Sequence, residues 1–250
     1  MNYTSMIFSP TGGTEKVAAA LTATWGIASR DVDLTNAKTD FSNIVFQPKD
    51  VTVIAVPSYG GRVPKLAAER IQKVRGNGSS AVLVCVYGNR DYEDTLAELE
   101  DLAREAGFQI TAAVAGIAEH SIVRRFATGR PDAEDKKILA GFGQTIQERL
   151  KRGEKSGIIP GNRPYKKAGS GMLPQTGTAC VQCGLCAAQC PAGAIDSTDA
   201  RKVNAEKCIS CMRCVKICPQ QAKALDPAGL TKVAAMLEKV CSDRKTCKLY

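Results

Sequence analysis

Two stretches of the chain repeat one pattern of cysteines: CVQCGLCAAQCP at residues 180–191 and CISCMRCVKICP at residues 208–219. In each stretch two, two and three residues separate the four cysteines, and a proline follows the last cysteine. The opening Met-Asn-Tyr-Thr-Ser does not resemble a secretory signal, so we expect a reducing, cytoplasmic environment in which thiols can bind metal. A disulfide framework is therefore disfavoured. No apolar run approaches the roughly 20 residues that a membrane-spanning helix needs.

This spacing resembles that of bacterial-type ferredoxins with two [4Fe-4S] clusters, and the resemblance covers about residues 176–225. It implies that three cysteines of one run and the last cysteine of the other run hold each cluster. One cluster is thereby assigned to Cys180, Cys183, Cys186 and Cys218, and the other to Cys208, Cys211, Cys214 and Cys190. Zinc is the alternative metal, but zinc ribbons use separated pairs of cysteines rather than repeated runs of four. The implied domain is small and of α+β class, and its clusters compensate for a limited hydrophobic core.

Charge and composition divide the chain near residue 150. Residues 1–150 carry 17 Lys+Arg and 18 Asp+Glu, a sum of −1, whereas residues 151–250 carry 17 and 7, a sum of +10. Residues 151–175 contain five glycines, three prolines and six basic residues without a sustained period, which is typical of a linker. We therefore predict an α/β domain over 1–150, a basic linker over 151–175, the cluster domain over 176–227, and a C-terminal helix and tail over 228–250. The apolar face predicted for that helix contains Leu230, Val233, Ala234, Leu237 and Val240.

Residues 1–150 alternate between short apolar runs and longer amphipathic runs. This alternation is typical of a parallel sheet that helices cover on both faces. The predicted strands are residues 3–8, 28–34, 51–57, 81–87 and 108–118, and the predicted helices are residues 14–25, 65–75, 93–105 and 132–152. Residues 35–50 show no clear period. We expect Trp25 and Cys85 to lie in the core.

A loop rich in glycine and hydroxyl groups joins the first predicted strand to the first helix. Its sequence is Ser9-Pro10-Thr11-Gly12-Gly13-Thr14. Backbone N–H groups, hydroxyls and a helix N-terminus together favour a phosphate, although an ordinary capped turn is the alternative. The loop lacks the Gly-Lys-Ser/Thr of nucleoside triphosphate sites and the G-x-G-x-x-G of dinucleotide sites.

This loop resembles the phosphate loop of flavodoxins, Ser/Thr-x-Thr-Gly-x-Thr, which binds FMN. The resemblance covers about residues 1–150 and implies a doubly wound, five-stranded parallel sheet of order 2-1-3-4-5. In a sheet of this strand order the loops after strands 1, 3 and 4 converge, so flavin contacts are also expected from the loops after strands 3 and 4. Their residues are Pro57, Ser58, Tyr59, Gly60 and Gly61 in the first and Tyr87, Gly88, Asn89, Arg90, Tyr92 and Asp94 in the second.

Three further residues carry hypotheses about the flavin. Either Arg62 or Arg90 beside the ring would favour its anionic reduced form, whereas a solvated or phosphate-directed arginine would not. His120, the only histidine, is either a proton donor to the flavin, a contact between domains, or a hydrogen-bonded structural residue.

With both resemblances taken together, the chain is similar to proteins that fuse a flavodoxin domain to a two-cluster ferredoxin. They imply an electron-transfer protein that exchanges electrons between two [4Fe-4S] clusters, FMN and redox-protein partners. A flavin-dependent reductase of a quinone, nitroaromatic or corrinoid is the alternative, and a redox sensor is a third hypothesis. Two clusters at −2 each reduce the charge of the second half from +10 to +6, which still favours an acidic ferredoxin or flavoprotein as partner. Nucleic-acid binding is disfavoured because no recognised motif accompanies the basic charge.

Overall fold

The computed structural model describes residues 2–169 and 171–250. Met1, in the first predicted domain, and Ser170, in the predicted linker, lie outside the described residues. The strands are β1 (Thr4–Ile7), β2 (Arg30–Asp33), β3 (Val51–Pro57), β4 (Ser80–Tyr87), β5 (Gln109–Ile117), β6 (Gln175–Thr176), β7 (Lys223–Ala224) and β8 (Lys248–Leu249). Strands β1 to β5 form a parallel sheet of order β2-β1-β3-β4-β5, which confirms the predicted α/β class and the flavodoxin-like order.

Every helix predicted in the first 150 residues is present. The helices are α1 (Gly13–Leu21), α2 (Lys65–Ile71), α3 (Thr95–Glu105), α4 (Ala133–Arg152), α5 (Leu185–Ala188), α6 (Arg213–Ile217) and α7 (Pro227–Cys241), and a 3-10 turn covers Phe41–Asn43. Helices α1 and α2 each end four residues earlier than predicted. Trp25 and Val74, which follow the two helices, are nonetheless buried, so the apolar pattern continues after the helical backbone has ended.

The parallel sheet is buried on both faces. Helices α1 and α4 cover one face, where Val53 and Ala55 of β3 lie in the core. Helices α2 and α3 cover the other face, against Ile54 and Val56 of the same strand. The buried side chains on this second face are here called the main core. Successive side chains of a strand point to opposite faces, so a strand covered on both sides needs an unbroken apolar run. Cys85, in β4, is fully buried as predicted.

The C-terminal tail adds a strand that the sequence did not predict. Strand β8 pairs antiparallel with β5, with Leu249 opposite Val114. The predicted five-stranded order would place β5 at the edge of the sheet, and β8 adds a sixth strand that covers this edge. Helix α7 packs on Val123 and Phe126 through residues that include Leu237. Val240, predicted on the same buried face, is 48% exposed.

The described residues between α4 and β6, 153–169 and 171–174, form no regular secondary structure, but they pack on the α/β domain. Ile159 is buried in the main core, and the backbone N–H of Asn162 donates to Asp94 at the start of α3. Further along, Arg163 and Tyr165 both bind the carboxylate of Asp101. We call residues 153–169 and 171–174 the strap, because the first of these two stretches contacts α3 and the second leads into the cysteine runs.

Along the sequence, the cysteine runs lie between β6 and β7, and these two strands pair with each other as a small antiparallel sheet. The backbone reproduces the sequence repeat. The second and fourth residues after the first cysteine have positive φ in each run: Gln182 (58°) and Gly184 (72°), then Ser210 (54°) and Met212 (61°). In both runs a short helix starts directly afterwards, so each run curls around its own thiols. Within residues 2–169 and 171–250, no helix is long and apolar enough to cross a membrane.

Candidate functional site

The loop after β1 presents free backbone donors. Gly12 precedes α1 with φ of 86°, a left-handed conformation that glycine adopts readily. Ser9 shapes the turn, because its Oγ accepts from the N–H of Glu15 at 3.0 Å. Among the described residues, the N–H groups at positions 11–14 have no acceptor. Four free donors at the positive end of a helix suit the binding of an anion.

A cavity of about 210 Å³, here called the crevice cavity, lies at the carboxyl ends of β1, β3, β4 and β5. Ten residues predicted to bind the flavin line it: Pro10, Thr11, Gly13, Thr14, Pro57, Ser58, Tyr59, Gly60, Tyr87 and Gly88. Gly61 does not line the cavity but completes a tight turn in which Tyr59 and Arg62 exchange backbone hydrogen bonds of 2.9 and 3.2 Å. The structure thus brings the three predicted loops to one cavity.

Neither arginine considered for the ring lines the crevice cavity. The Nε and Nη2 atoms of Arg62 each donate to one carboxylate oxygen of Glu98, on α3, at 2.7 Å, so the two side chains form a bidentate ion pair. Arg90 forms an ion pair with Glu93, also at 2.7 Å. The charge of both arginines is therefore matched by a neighbouring carboxylate.

Three more predicted residues of the loop after β4 anchor other segments. Asn89 is buried and donates to the backbone carbonyls of Cys241, the last residue of α7, and of Asp243. Tyr92 packs in the main core and shares a hydrogen bond with Tyr250. Asp94 accepts backbone N–H groups of the strap, which hold the pKa of its carboxyl below the usual range. These side chains hold the tail and the strap rather than facing the crevice cavity.

Two parts of the lining of the crevice cavity were not predicted from the sequence. One is the wall formed by the loop after β5, residues 118–122, and the other consists of Gly169, Gly171, Ile209 and Ser210. The loop after β5 could have been nominated, because its strand ends at the same edge of the sheet. Nothing in the sequence indicates that residues between two cysteines would reach a cavity of the other domain.

His120 lies in the missed wall. Its Nδ1 accepts the backbone N–H groups of Ile122 and Val123 at 3.2 and 3.1 Å, so the neutral ring carries its proton on Nε2. Burial, followed by the charge of Arg90, lowers the pKa of His120 from 6.5 to about 4. At neutral pH His120 is therefore an uncharged hydrogen-bond donor in the wall of the cavity.

The depressed pKa of His120 predicts a pH-dependent stability. Between about pH 6.5 and 4 the unfolded chain binds this proton and the folded chain does not, so the free energy of unfolding falls as the pH is lowered. We expect His120→Gln to reduce this fall by about 2–3 kcal/mol, a value discounted for partial exposure. Denaturant unfolding of both proteins at about pH 4.5 and 7 measures the difference. Identical pH profiles would contradict the buried, neutral histidine.

Two small cavities are each lined by four cysteines. The inner cavity is lined by Cys190, Cys208, Cys211 and Cys214. The outer cavity is lined by Cys180, Cys183, Cys186 and Cys218. Each cavity thus takes three thiols from one run and the last thiol from the other. The backbone N–H four residues after that last cysteine donates to its sulfur in both cases, from Ala194 at 3.3 Å and from Ala222 at 3.2 Å.

A buried lysine borders the outer cavity. Lys223 is only 3% exposed, and its Nζ donates to Thr176 and to the carbonyl of Ala200 at 2.6 Å. Neither partner is charged. The positive charge of Lys223 is therefore available to stabilise negative charge among the four thiols of this cavity.

A basic cleft of about 840 Å³ separates α1 and the start of α4 from α6. Lys16, Lys136 and Lys216 line it, are exposed, and form no ion pair within the described residues. Arg124 also lines it and binds Glu119. Lysines from both domains thus face one concave surface.

Comparison with known proteins identifies the second part of the chain. Residues 176–223 match the family model described as a 4Fe-4S dicluster domain. A stretch of 44 residues is 48% identical to one subunit of an ion-translocating oxidoreductase complex from Methanosarcina acetivorans. That stretch covers 17% of this chain and 17% of the relative, so the similarity concerns one domain.

Solved structures similar to the chain include flavodoxins. Flavodoxin 1 from Bacillus cereus is 13% identical, covers 59% of this chain and 98% of its own, and has a TM-score of 0.41. The flavodoxin of Streptococcus pneumoniae is 19% identical, with coverages of 60% and 99% and a TM-score of 0.39. The Flv1 flavodiiron core from Synechocystis is 17% identical with a TM-score of 0.43; the match covers 62% of this chain and 37% of the Flv1 core.

The fold of the first domain is assigned from its own strand order, since these structural similarities are low. The order β2-β1-β3-β4-β5, with helices on both faces, is that of flavodoxin. The second domain is assigned by its family match and its repeated cysteine runs. The chain therefore joins a flavodoxin-like α/β domain to a 4Fe-4S dicluster domain of the ferredoxin type.

Proposed function

We propose that the chain passes electrons between two [4Fe-4S] clusters and FMN, and exchanges them with redox-protein partners in a reducing cytoplasm. One observation carries this proposal: Ile209 lines both the inner cavity and the crevice cavity, so the two cofactor sites share a wall. When bound, FMN supplies two-electron redox chemistry and each cluster supplies a one-electron centre.

The residues of the crevice cavity fit FMN. The free N–H groups at positions 11–14, with the hydroxyls of Thr11 and Thr14, would hold the phosphate. Tyr59, Tyr87 and the glycine turns would border the flat ring, since glycine lets the backbone approach closely. Burial raises the pKa of the Tyr59 hydroxyl well above its usual value, so this residue stays neutral.

The cysteine cavities fit two clusters. Each offers four thiols from two sequence runs, the arrangement typical of two-cluster ferredoxins. The N–H donors at Ala194 and Ala222 would stabilise negative charge on one ligand of each cluster.

A carrier is favoured over a reductase of small molecules because part of the lining of the crevice cavity belongs to a cysteine run. Ile209 and Ser210, between Cys208 and Cys211, line the cavity together with Gly169 and Gly171 of the strap. A flavin bound there would lie beside a loop that holds a cluster, which suits electron transfer between the two cofactors.

An anaerobic reductive titration of the reconstituted protein tests the proposal. We expect uptake of about four electrons per chain, two by FMN and one by each cluster, followed by visible absorption and EPR. Uptake of about two electrons with cluster signals alone would show that the crevice cavity does not hold a flavin.

A further inference from the structure

The inner cavity is attached to the α/β domain. Ile209, between two of its cysteines, packs against the main core of that domain. Arg70 of α2 is buried and donates to the carbonyl of Pro191 at 2.8 Å. Arg213, which also lines the inner cavity, donates to Thr35 at 2.5 Å. These three contacts hold the inner cavity against the α/β domain, and Ile209 also lines the crevice cavity.

Among the described residues, all those that line the outer cavity lie between positions 180 and 223. Cys183 is exposed, and the neighbouring Val181 is 64% exposed. The outer cavity therefore lies near solvent. It borders the basic cleft, which Thr11, Gly13, Glu119 and Ser121 of the crevice cavity also line.

The outer cavity also borders the basic cleft. Cys218 and Pro219 line both spaces, so the last cysteine of the second run separates the thiols from the cleft. A molecule in the cleft would lie next to a ligand of the outer cluster. Because Lys16, Lys136 and Lys216 form no ion pair within the described residues, the cleft suits a negatively charged partner.

We infer that the two clusters have different neighbours: the inner cluster exchanges electrons with FMN, and the outer cluster exchanges them with an acidic iron-sulfur protein that docks on the basic cleft. This inference rests on the proposed function. In the direction of flavin reduction, the external protein loses one electron to the outer cluster, which passes it to the inner cluster. Two such deliveries, with two protons from solvent, reduce oxidised FMN by two electrons. The reverse order returns two electrons, one at a time, to two oxidised partners.

The first experiment identifies each cluster without removing a ligand. Lys223→Gln removes a positive charge that lines the outer cavity and also acts on Cys214 of the inner cavity. Reduction of the outer cluster should become about tenfold less favourable, a lowering of about 59 mV for one electron, and the potential of the inner cluster should fall by less. Removal of FMN from the parent protein should shift mainly the potential of the inner cluster, because it admits water to the crevice cavity, which shares Ile209 with the inner cavity. EPR-monitored redox titrations of the FMN-loaded and FMN-free proteins measure both shifts.

The outcomes separate this inference from the proposed function. If the EPR signal moved most by Lys223→Gln is also the one that responds most to FMN, or if no signal responds to FMN, the assignment of the inner cluster is wrong. If the protein does not retain FMN at all, the proposed function itself fails.

The second experiment tests the docking surface. An acidic plant-type [2Fe-2S] ferredoxin, reduced beforehand, serves as the probe, and stopped-flow absorption follows oxidation of the probe by the holoprotein. In Lys136→Glu/Lys216→Glu we expect the rate at low salt to fall at least about tenfold, and the dependence on salt to weaken. The matched control Lys38→Glu/Lys155→Glu makes the same charge change at exposed lysines outside the cleft and should change the rate less than about twofold.

Equal effects of the two double variants would mean that net charge alone governs the encounter and would overturn the docking site. An unchanged rate in the cleft variant, with loss of binding of inorganic phosphate, would show that the cleft takes a small anion instead of a protein.

Discussion

Replacing Cys190 with alanine is expected to remove the inner cluster, although this cysteine belongs to the first run. The structure places its thiol with Cys208, Cys211 and Cys214 of the second run. A [4Fe-4S] cluster with three thiolate ligands loses at least the iron that has no thiolate, so the intact inner centre should disappear and iron should fall from about eight to about seven or fewer per chain. Chemical analysis and EPR of the reduced protein measure the loss.

Two further alanine variants make this test specific. Cys208→Ala changes a different run but the same cavity, so its remaining EPR signal should match that of Cys190→Ala. Cys186→Ala changes the same run but the outer cavity, so its remaining signal should differ. If Cys190→Ala instead matched Cys186→Ala, each run would hold its own cluster and the assignment across the runs would be wrong.

Replacing Thr11 with glutamate is expected to weaken FMN binding at least about 100-fold while the iron content stays unchanged. Thr11 lines the crevice cavity beside the free donors of the phosphate loop. A carboxylate there would repel the phosphate, and two like charges about 4 Å apart cost about 4 kcal/mol at an effective dielectric constant of about 20. Titration of the FMN-free protein with FMN, followed by quenching of flavin fluorescence, gives the dissociation constant.

Two control variants separate charge from folding. Thr11→Val keeps the shape and removes one hydroxyl, so we expect a loss of about five- to tenfold. Thr231→Glu makes the same substitution at an exposed position of α7 and should leave the affinity for FMN as it is. Equal affinities in Thr11→Glu and the parent protein would show that FMN phosphate binds elsewhere.

The chemistry of the loop at residues 9–14 and of the two cysteine runs could be predicted from the sequence, because each depends on residues close together along the chain. Backbone donors need only the glycines and hydroxyls of residues 9–14 before a helix. The buried sheet needs only unbroken apolar runs such as Val51–Pro57. The repeated cysteine spacing predicted two groups of four thiols, and the structure forms two such groups.

Contacts between segments far apart in the chain could not be predicted from the sequence. Nothing in the sequence near Asn89, Tyr92 or Asp94 indicates that these side chains hold the tail and the strap instead of lining the crevice cavity. Their residue types suit a ring-binding loop equally well. The choice depends on which segments pack beside them in the folded chain.

The sequence by itself determined the α/β class, the phosphate loop and the two repeated cysteine runs, because local geometry and periodicity follow from neighbouring residues. Only the tertiary structure decided that β8 covers β5, that Ile209 joins the inner cavity to the crevice cavity, and that lysines of both domains face one cleft. Those arrangements arise from packing between segments far apart in the chain. They are set by the burial of shared apolar surface and by long-range hydrogen bonds such as that from Arg70 to Pro191, and neither leaves a periodic signal in the sequence.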